Sequence, residues 1–470
     1  MNPITIPNIS IPTIGIPTIG IPSVGFPSAS GGGGLVWPAG MKEHIKAWYD
    51  PKKQGMTNYD VIEAYVEDFT NWNYVKARGV ATISQHKFII TECILKGLSI
   101  VEDIQEPYSN LTVRIIGITD NQEVLITDYV NGQHQIINTI TEDGIYTIED
   151  RYHFVGFGCN FVGTCNITIE QLPTSILKDL SGNGNHAYLY GGKGKLNSGM
   201  GVYQQDFSKL IISRVDKKQD PFSFTVSGSG GSYLAYMQLG NWNNKAFKIL
   251  ANINAKSDYL YLRFRNSTDA VITSVMLKNG ENIIPAQNIE GATKAVFEYS
   301  LKEGGTITIT QIPDYPDQLC YDGKMYAVAY DMPILTDYTV MAERTWFEKE
   351  EYSAFISNSL GGMEAPSNGA FSVELKSLNS FTTISFGSIT SIGIPEKGIT
   401  YQTKQSYNGN SINVGTKESN DILILGGRYF YKNDNVAGNT WTGCHGAIIV
   451  ADRSFTEEEI NWLKQNWDKI

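Results

Sequence analysis

Charge, histidine and cysteine are all scarce in this chain of 470 residues. Only 18% of residues are charged, with 37 Lys+Arg against 48 Asp+Glu and six His. The net charge of −11 speaks against a nucleic-acid partner, whose phosphates require a basic face. No run approaches the ~18 apolar residues that cross a bilayer, so no membrane insertion is expected. Met1 to Pro27 has no basic start and is broken by prolines, unlike a cleaved secretory signal. The five cysteines, Cys93, Cys159, Cys165, Cys320 and Cys444, show no metal-ligand spacing. Cys159 and Cys165 are near enough in sequence to pair. Buried thiols in a chain folded in a reducing cytoplasm are the preferred reading.

Signatures of chemistry are equally thin. There is no Gly-x-Gly-x-x-Gly, no Gly-x-Ser-x-Gly and no His-Glu-x-x-His. Gly192-Lys193-Gly194-Lys195 lacks the upstream glycine and the following Ser/Thr of a phosphate loop. Glycoside hydrolysis needs two carboxyl groups flanking the sugar bond. The nearest run is Glu102-Asp103-Ile104-Gln105-Glu106, in which alternation turns Asp103 away from both glutamates. Glu348, Glu350 and Glu351 read as a solvated turn. The expectation is a chain that is not an enzyme and holds no organic cofactor. Calcium is the one metal considered: Asp179, Asn183 and Asn185 offer hard oxygens in a Gly-broken turn. The competing reading is a turn whose Asp and Asn bond their own backbone.

What is abundant is glycine (46), tyrosine (26) and short apolar runs. Pro7, Pro12, Pro17, Pro22 and Pro27 recur at a strict period of five. Proline's fixed φ and missing donor exclude helix and central strand, leaving an extended path of about 3.1 Å per residue. The pentads carry Ile6, Ile11, Ile16, Ile21 and Phe26, apolar side chains that a single thin chain cannot bury. An anchor is expected, either wound with its own copies or laid on a partner, with residues 1–34 as tail and glycine-rich linker. A disordered leader is the alternative.

From Leu35 onward, runs such as Val124 to Val130, Ile307 to Ile309 and Ile422 to Leu425 alternate with turn pairs such as Asp143-Gly144 and Asn408-Gly409. This predicts an all-β, multi-domain chain of sandwiches or jelly rolls. One helix is predicted at the C-terminus, capped by Ser454 with Glu457 and apolar at Ile460, Leu463 and Trp467. A further short helix fits between Asn58 and Phe69.

Internal echoes suggest a duplicated module. Asn71-Trp72-Asn73 recurs as Asn241-Trp242-Asn243, Leu111 to Arg114 as Leu260 to Arg263, and Ile167 to Pro173 as Ile307 to Pro313. The expected division is two inserted sandwich modules, 71–173 and a shortened 241–313. They interrupt one domain made of 35–70, 174–240 and 314–470.

That interrupted domain carries Trp48-Tyr49-Asp50, then Asp179-Leu180-Ser181-Gly182-Asn183-Gly184-Asn185-His186-Ala187, and ends in Gly446 to Val450 and Glu457 to Ile460. These motifs resemble a concanavalin-like or laminin-G-like jelly roll. The arrangement with its inserts resembles surface fibre proteins of phages of gut Bacteroidales, including crAss-like phages. The resemblance implies a structural virion protein, a head or tail fibre at the particle surface. Residues 1–34 would dock it on a capsid or tail protein, and a homotrimer would wind its tails together. Attachment to host or mucosal glycans is the implied role. Candidate sugar contacts are Trp72, Tyr74, Trp242, Asn243 and Trp441, each of which could instead be core. The alternatives are a bacterial surface or secreted carbohydrate-binding protein and, behind it, a polysaccharide depolymerase.

Overall fold

The computed structural model describes residues 35–470, except 104–109, 131–132, 150–153, 193–195, 214–215, 230, 256–258, 302, 362–368 and 432–435. The pentads, with Ile6, Ile11, Ile16, Ile21 and Phe26, lie outside the described residues, as does Glu106. The chain is all-β, as its alternating runs predict. No helix among the described residues is long and apolar enough to cross a membrane.

A jelly roll forms the body. One seven-stranded sheet runs in the order Ile45–Tyr49, Thr442–Ala451, Thr339–Glu348, Lys397–Thr403, Ser406–Tyr407 and Asn410–Ser411, with Leu319–Asp322 also paired to Thr442–Ala451. The facing eight-stranded sheet runs Ile176–Leu177, Ala187–Tyr190, Tyr326–Ala329, Leu423–Leu425, Ala354–Ser357, Phe371–Lys376, Phe381–Ser385 and Ser388–Ile392. Inward side chains of both sheets build one core, including Tyr49, Leu189, Tyr321, Val340, Trp346, Phe355, Phe371 and Trp441. Asn408 and Gly409 take left-handed φ values of 48° and 83° to close the tight turn between Ser406–Tyr407 and Asn410–Ser411.

The inner faces also enclose an ion pair. Arg344 Nε donates to Glu374 Oε2 at 2.7 Å and Arg344 Nη2 to Glu374 Oε1 at 2.9 Å, with both side chains fully buried. Trp346 Nε1 and the Tyr407 hydroxyl donate to the same carboxylate at 2.7 and 2.8 Å. Glu374 sits at φ +55°, where the strand register shifts between Ser372 and Leu375. For a non-glycine residue that conformation costs ~1 kcal/mol.

The C-terminal helix, Glu457–Asn466, packs Ile460 and Leu463 onto the outer face of the seven-stranded sheet against Met341, Ile449 and Phe455. Its capping box is Thr456 with Glu459, two residues later than expected, because Ser454 is held by Asp337 instead. Between Asn58 and Phe69 there is no α-helix, only single turns at Asn58–Asp60 and Phe69–Asn71.

Each insert is a sandwich of two five-stranded sheets. Counted in chain order within each insert, the ten strands pair as 1-4-9-6-7 and 2-3-10-5-8 in both. The duplication is therefore complete, and the second module is not shortened. It starts near Gln205 rather than at 241, because Ile211–Ile212, Asp216–Gln219, Ser223–Gly228 and Ser232–Gln238 all pair within it. The expected jelly-roll segment 174–240 accordingly stops near residue 202.

Matching hydrogen bonds close the root of each module. Asp68 accepts from Thr70 N and Asp206 from Ser208 N, each starting the same short turn. Gln171 Oε1 accepts from Glu67 N at 3.2 Å, and Gln311 Oε1 from Gln205 N at 3.0 Å. These two glutamines close the strands Gly163–Gln171 and Gly305–Ile312, so the echo of Ile167 to Pro173 in Ile307 to Pro313 is a true equivalence. The other two echoes are not. Trp72 follows the first module's opening turn, where the second has Leu210, and Trp242 lies between its fourth and fifth strands. Leu111–Ile116 is a fifth strand and Leu260–Arg265 a sixth.

The first module lies against a tyrosine-rich outer face of the eight-stranded sheet, with Leu172 and Ile145 meeting Tyr188, Tyr190, Tyr326, Tyr330 and Phe430. Arg114 stacks over Tyr330 at 4.2 Å and stands opposite Glu170. Burial pushes the Glu170 carboxyl up to about 7, partly opposed by Arg114 and Lys87.

Two outcomes follow from these buried charges. Arg344→Ala should lower jelly-roll stability by about 3–5 kcal/mol in urea denaturation, because Glu374 is left buried and unpaired. For Glu170, ionisation is harder in the folded chain than in the unfolded one. Its contribution should therefore be fully retained below the usual carboxyl value of 4.5 and lost as pH rises through about 7. Unfolding midpoints measured across that window should flatten in Glu170→Gln.

Candidate functional site

The tryptophans expected to meet sugars are core residues. Trp441 is 0% exposed, enclosed by Tyr321, Trp346 and Phe355. Trp72 packs on Phe69 and Phe157, and Trp242 on Phe247 and Phe264, each at the centre of its module. Tyr74 is half-buried and spends its hydroxyl locally, donating to Gly79 O and accepting from Ala81 N. Asn243 is exposed but tied to Gln204 and Gln205. These five do not converge on one surface. Glu348, Glu350 and Glu351 are exposed, in keeping with a solvated turn.

Asp179, Asn183 and Asn185 do come together, as a structural turn. Asp179 Oδ1 accepts from Trp48 N and Ser181 N, and Oδ2 from the Ser181 hydroxyl and Asn185 N. Asn183 donates its amide to Ile45 O and Asn185 donates to Lys46 O. A carboxylate already carrying four hydrogen bonds and two amides turned to carbonyls do not fit a calcium site. The turn instead fastens this segment to strand Ile45–Tyr49. No group of three or more His, Cys, Asp or Glu able to hold a metal occurs among the described residues.

The cysteines also differ from expectation. Cys93 is bonded to Cys159, joining the two sheets of the first module. Cys165 is free and donates to Ile90 O. Cys159 and Cys165 are close in sequence, but they sit on strands of opposite sheets, and Cys93 is the one that faces across the sandwich.

The surface that does gather binding chemistry is the outer face of the second module's sheet Ile211–Ile212, Ser232–Gln238, Lys294–Ser300, Leu260–Arg265 and Val271–Met276. Strict alternation builds it. Leu260, Leu262 and Phe264 enter the core, so Tyr261, Arg263 and Arg265 face out. On the neighbouring strand Ala295, Phe297 and Tyr299 enter, leaving Lys294 and Glu298 outside. The register sets Glu298 opposite Tyr261, Val296 opposite Arg263 and Lys294 opposite Arg265.

Glu298 Oε2 accepts from Arg263 Nη1 at 2.9 Å and from Arg265 Nη2. The Arg263 guanidinium lies over the Tyr261 ring at 4.6 Å, and Lys294 Nζ over the Tyr236 ring at 5.6 Å. Arg263 Nε and Arg265 Nε have no acceptor. Leu234, Ile272 and Met276, the last 57% exposed, edge this patch. Two tyrosine rings packed against cations, beside two part-exposed guanidinium groups, suit a ring-shaped ligand with an apolar face and peripheral oxygens. Among the described side chains of the equivalent strand in the first module, the outward ones are Leu125 and Thr127, both buried and uncharged. The readable signal was the Leu-Tyr-Leu-Arg-Phe-Arg alternation at 260–265. Glu298 joins it only through register.

A second exposed aromatic stands where the module roots meet the body. Tyr59 is held upright by its hydroxyl, which donates to Asp220 Oδ2 at 2.6 Å, and this bond pushes the phenol up to about 12. It borders crevices of about 460 and 360 Å³, one lined by Gln54, Asp60, Thr174 and Lys178, the other by Asn58, Tyr203 and Phe222.

No family model and no curated protein matches the chain. Among solved structures, the matches include Trypanosoma rangeli sialidase in complex with sialic acid, at 10% identity and a TM-score of 0.25, covering 84% of each chain. The same sialidase with 2,3-difluorosialic acid gives 9% identity and a TM-score of 0.26, covering 88% of this chain and 90% of that one. The tandem CBM22 domain from Paenibacillus barcinonensis gives 6% identity and a TM-score of 0.16, covering 55% and 98%. The expectation of a non-enzymatic chain is corrected here, because the sialidases among these matches are enzymes. At such TM-scores the likeness carries no argument about what this chain binds or does.

The assignment of Trp441 to the core has a direct check. Trp441→Ala should cost about 3–5 kcal/mol in stability, read by urea denaturation, as large aromatic deletions do.

Proposed function

We propose that this chain is a carbohydrate-binding β-sandwich protein, with the outer sheet face of the second module as its binding platform. The observation that carries this reading is the arrangement of Tyr236, Tyr261, Arg263, Arg265 and Glu298 on one solvent-facing sheet. Tyrosine rings offer faces to the C–H side of a pyranose. The guanidinium groups offer donors to its hydroxyl or carboxylate oxygens. Because Glu298 already orders both arginines, little conformational entropy is lost on binding. A shallow face of this kind gives weak single contacts that several copies strengthen.

Display on a phage particle is the finer part of the proposal: a head or tail fibre anchored through residues 1–34, trimeric, with the modules facing host or mucosal glycans. Its support is the pentad repeat, whose apolar side chains call for a neighbour. A second reading, a bacterial surface or secreted carbohydrate-binding protein, is favoured by the bond between Cys93 and Cys159, since such bonds persist in oxidising surroundings.

Binding is tested on a glycan array, then by calorimetry on the best ligand. Tyr261→Ala and Arg263→Ala should each weaken binding by about tenfold, ~1.4 kcal/mol, with unchanged thermal unfolding. Wild-type affinity in both variants would remove the platform. The anchor is tested by light scattering on the full chain beside a version beginning at Leu35. A trimer that becomes a monomer on truncation is the expected result.

A further inference from the structure

Cys320 and Cys444 face each other across a pair of strands. Leu319–Asp322 runs antiparallel to Thr442–Ala451, and the register sets Cys320 directly opposite Cys444. Antiparallel partners alternate between pairs that exchange backbone hydrogen bonds and pairs that do not. In the second kind the Cα atoms are about 4.5 Å apart and the side chains are closest. The Cys320 N–H is donated away from the partner strand, to Gly199 O at 2.6 Å, whereas Gly323 N donates to Trp441 O. Cys320 and Cys444 therefore form a non-hydrogen-bonded pair. Its spacing falls within the ~4.4–6.8 Å that a disulfide spans between Cα atoms.

Both thiols are buried and unbonded. Leu319 and Tyr321 on either side point into the jelly-roll core, so the cysteines lie on the outer face, beneath the roots of the second module. Cys320 Sγ donates to Gly201 O at 2.9 Å, and Cys444 Sγ donates to Gln318 Oε1 at 2.9 Å. Gly201 belongs to the segment entering that module and Gln318 to the segment leaving it. The two segments are joined by Gly201 N donating to Gln318 O at 2.7 Å. Each thiol proton thus holds one root.

We infer that Cys320 and Cys444 are a redox modification site that converts between a dithiol and a cross-strand disulfide, and so sets how firmly the second module is held to the jelly roll. The oxidant is a small-molecule disulfide. One cysteine thiolate attacks it, forming a mixed disulfide and releasing one small thiol. The second cysteine thiolate then displaces the other small thiol and closes the Cys320–Cys444 bond. Two electrons pass to the small-molecule disulfide, and the two cysteine protons leave on the thiols released. Gly201 O and Gln318 Oε1 lose their donors in the same step. Burial, together with the adjacent Cys444 thiol, pushes the Cys320 thiol up, so the exchange quickens as pH rises.

The test uses the full chain in graded mixtures of reduced and oxidised glutathione. Free thiols are capped under denaturing conditions and the peptides mapped by mass. The expected result is one two-electron transition linking the Cys320 and Cys444 peptides while Cys165 remains unlinked. Amide exchange at Gly201 and Gln318 should be several-fold faster in the linked form. Cys320→Ser and Cys444→Ser should each abolish the link and leave the remaining cysteine as a glutathione adduct. The proposal is overturned if the wild-type pair stays reduced in the most oxidising mixture after incubation in mild urea, or if each cysteine takes its own adduct. Unchanged amide exchange in the linked form overturns the control of the module's attachment.

Discussion

The paired charge of Arg344 and Glu374 sets the terms for the rest of the jelly roll. A guanidinium and a carboxylate with no solvent contact are tolerated only when they are closely paired, here through Arg344 Nε and Nη2. Arg344 comes from the seven-stranded sheet and Glu374 from the eight-stranded one, so the pair pins the two layers at one register. Trp346 and Tyr407 complete the carboxylate's partners and are thereby fixed too. Trp346 in turn packs on Trp441, and Trp441 on Phe355 and Tyr321. Trp441, a candidate sugar contact by its sequence surroundings, is therefore part of the packing around a buried ion pair. The left-handed conformation of Glu374 is the local cost of aiming its carboxylate inward.

The inserts show how one architecture serves two roles. Both use the same ten-strand pairing, the same Asp-capped opening turn and the same glutamine latch. Those shared features close the root of each module, where the chain enters and leaves it. What differs is where each module turns its outer faces. The first is pressed against a tyrosine-rich wall and stapled internally by Cys93 and Cys159. The second turns Tyr236, Tyr261 and the arginine pair outward, where they are part-exposed. Duplication preserved the attachment while the outward positions of the strands changed chemistry, which is where change is cheapest for a sandwich.

Some of this was legible in the sequence. Alternating runs broken by Gly and Asn turns identified an all-β chain, and the C-terminal capping pattern identified the helix, displaced by two residues. The long echo ending in Pro173 and Pro313 marked a real repeat because it covers more than half of a central strand in which every second residue is core. The three-residue echo Asn-Trp-Asn was too short to carry such a constraint, and it set the second module's start more than thirty residues late. Tyr261 and Arg263 were in view but read only as part of an echo, since their partner Glu298 lies on another strand.

Taken alone, the sequence determined the class of fold, the presence of a duplicated sandwich and the proline-punctuated tail. These depend on local rules: side-chain period, turn chemistry and the missing proline donor. Only the tertiary structure decided that Trp72, Trp242 and Trp441 are interior, that Asp179 staples a turn, that Cys93 rather than Cys165 meets Cys159, and that Cys320 faces Cys444. Each of these depends on which strands lie side by side and in what register. A shift of one residue exchanges the inner and outer faces of a strand, and that choice is made by packing between segments far apart in the chain.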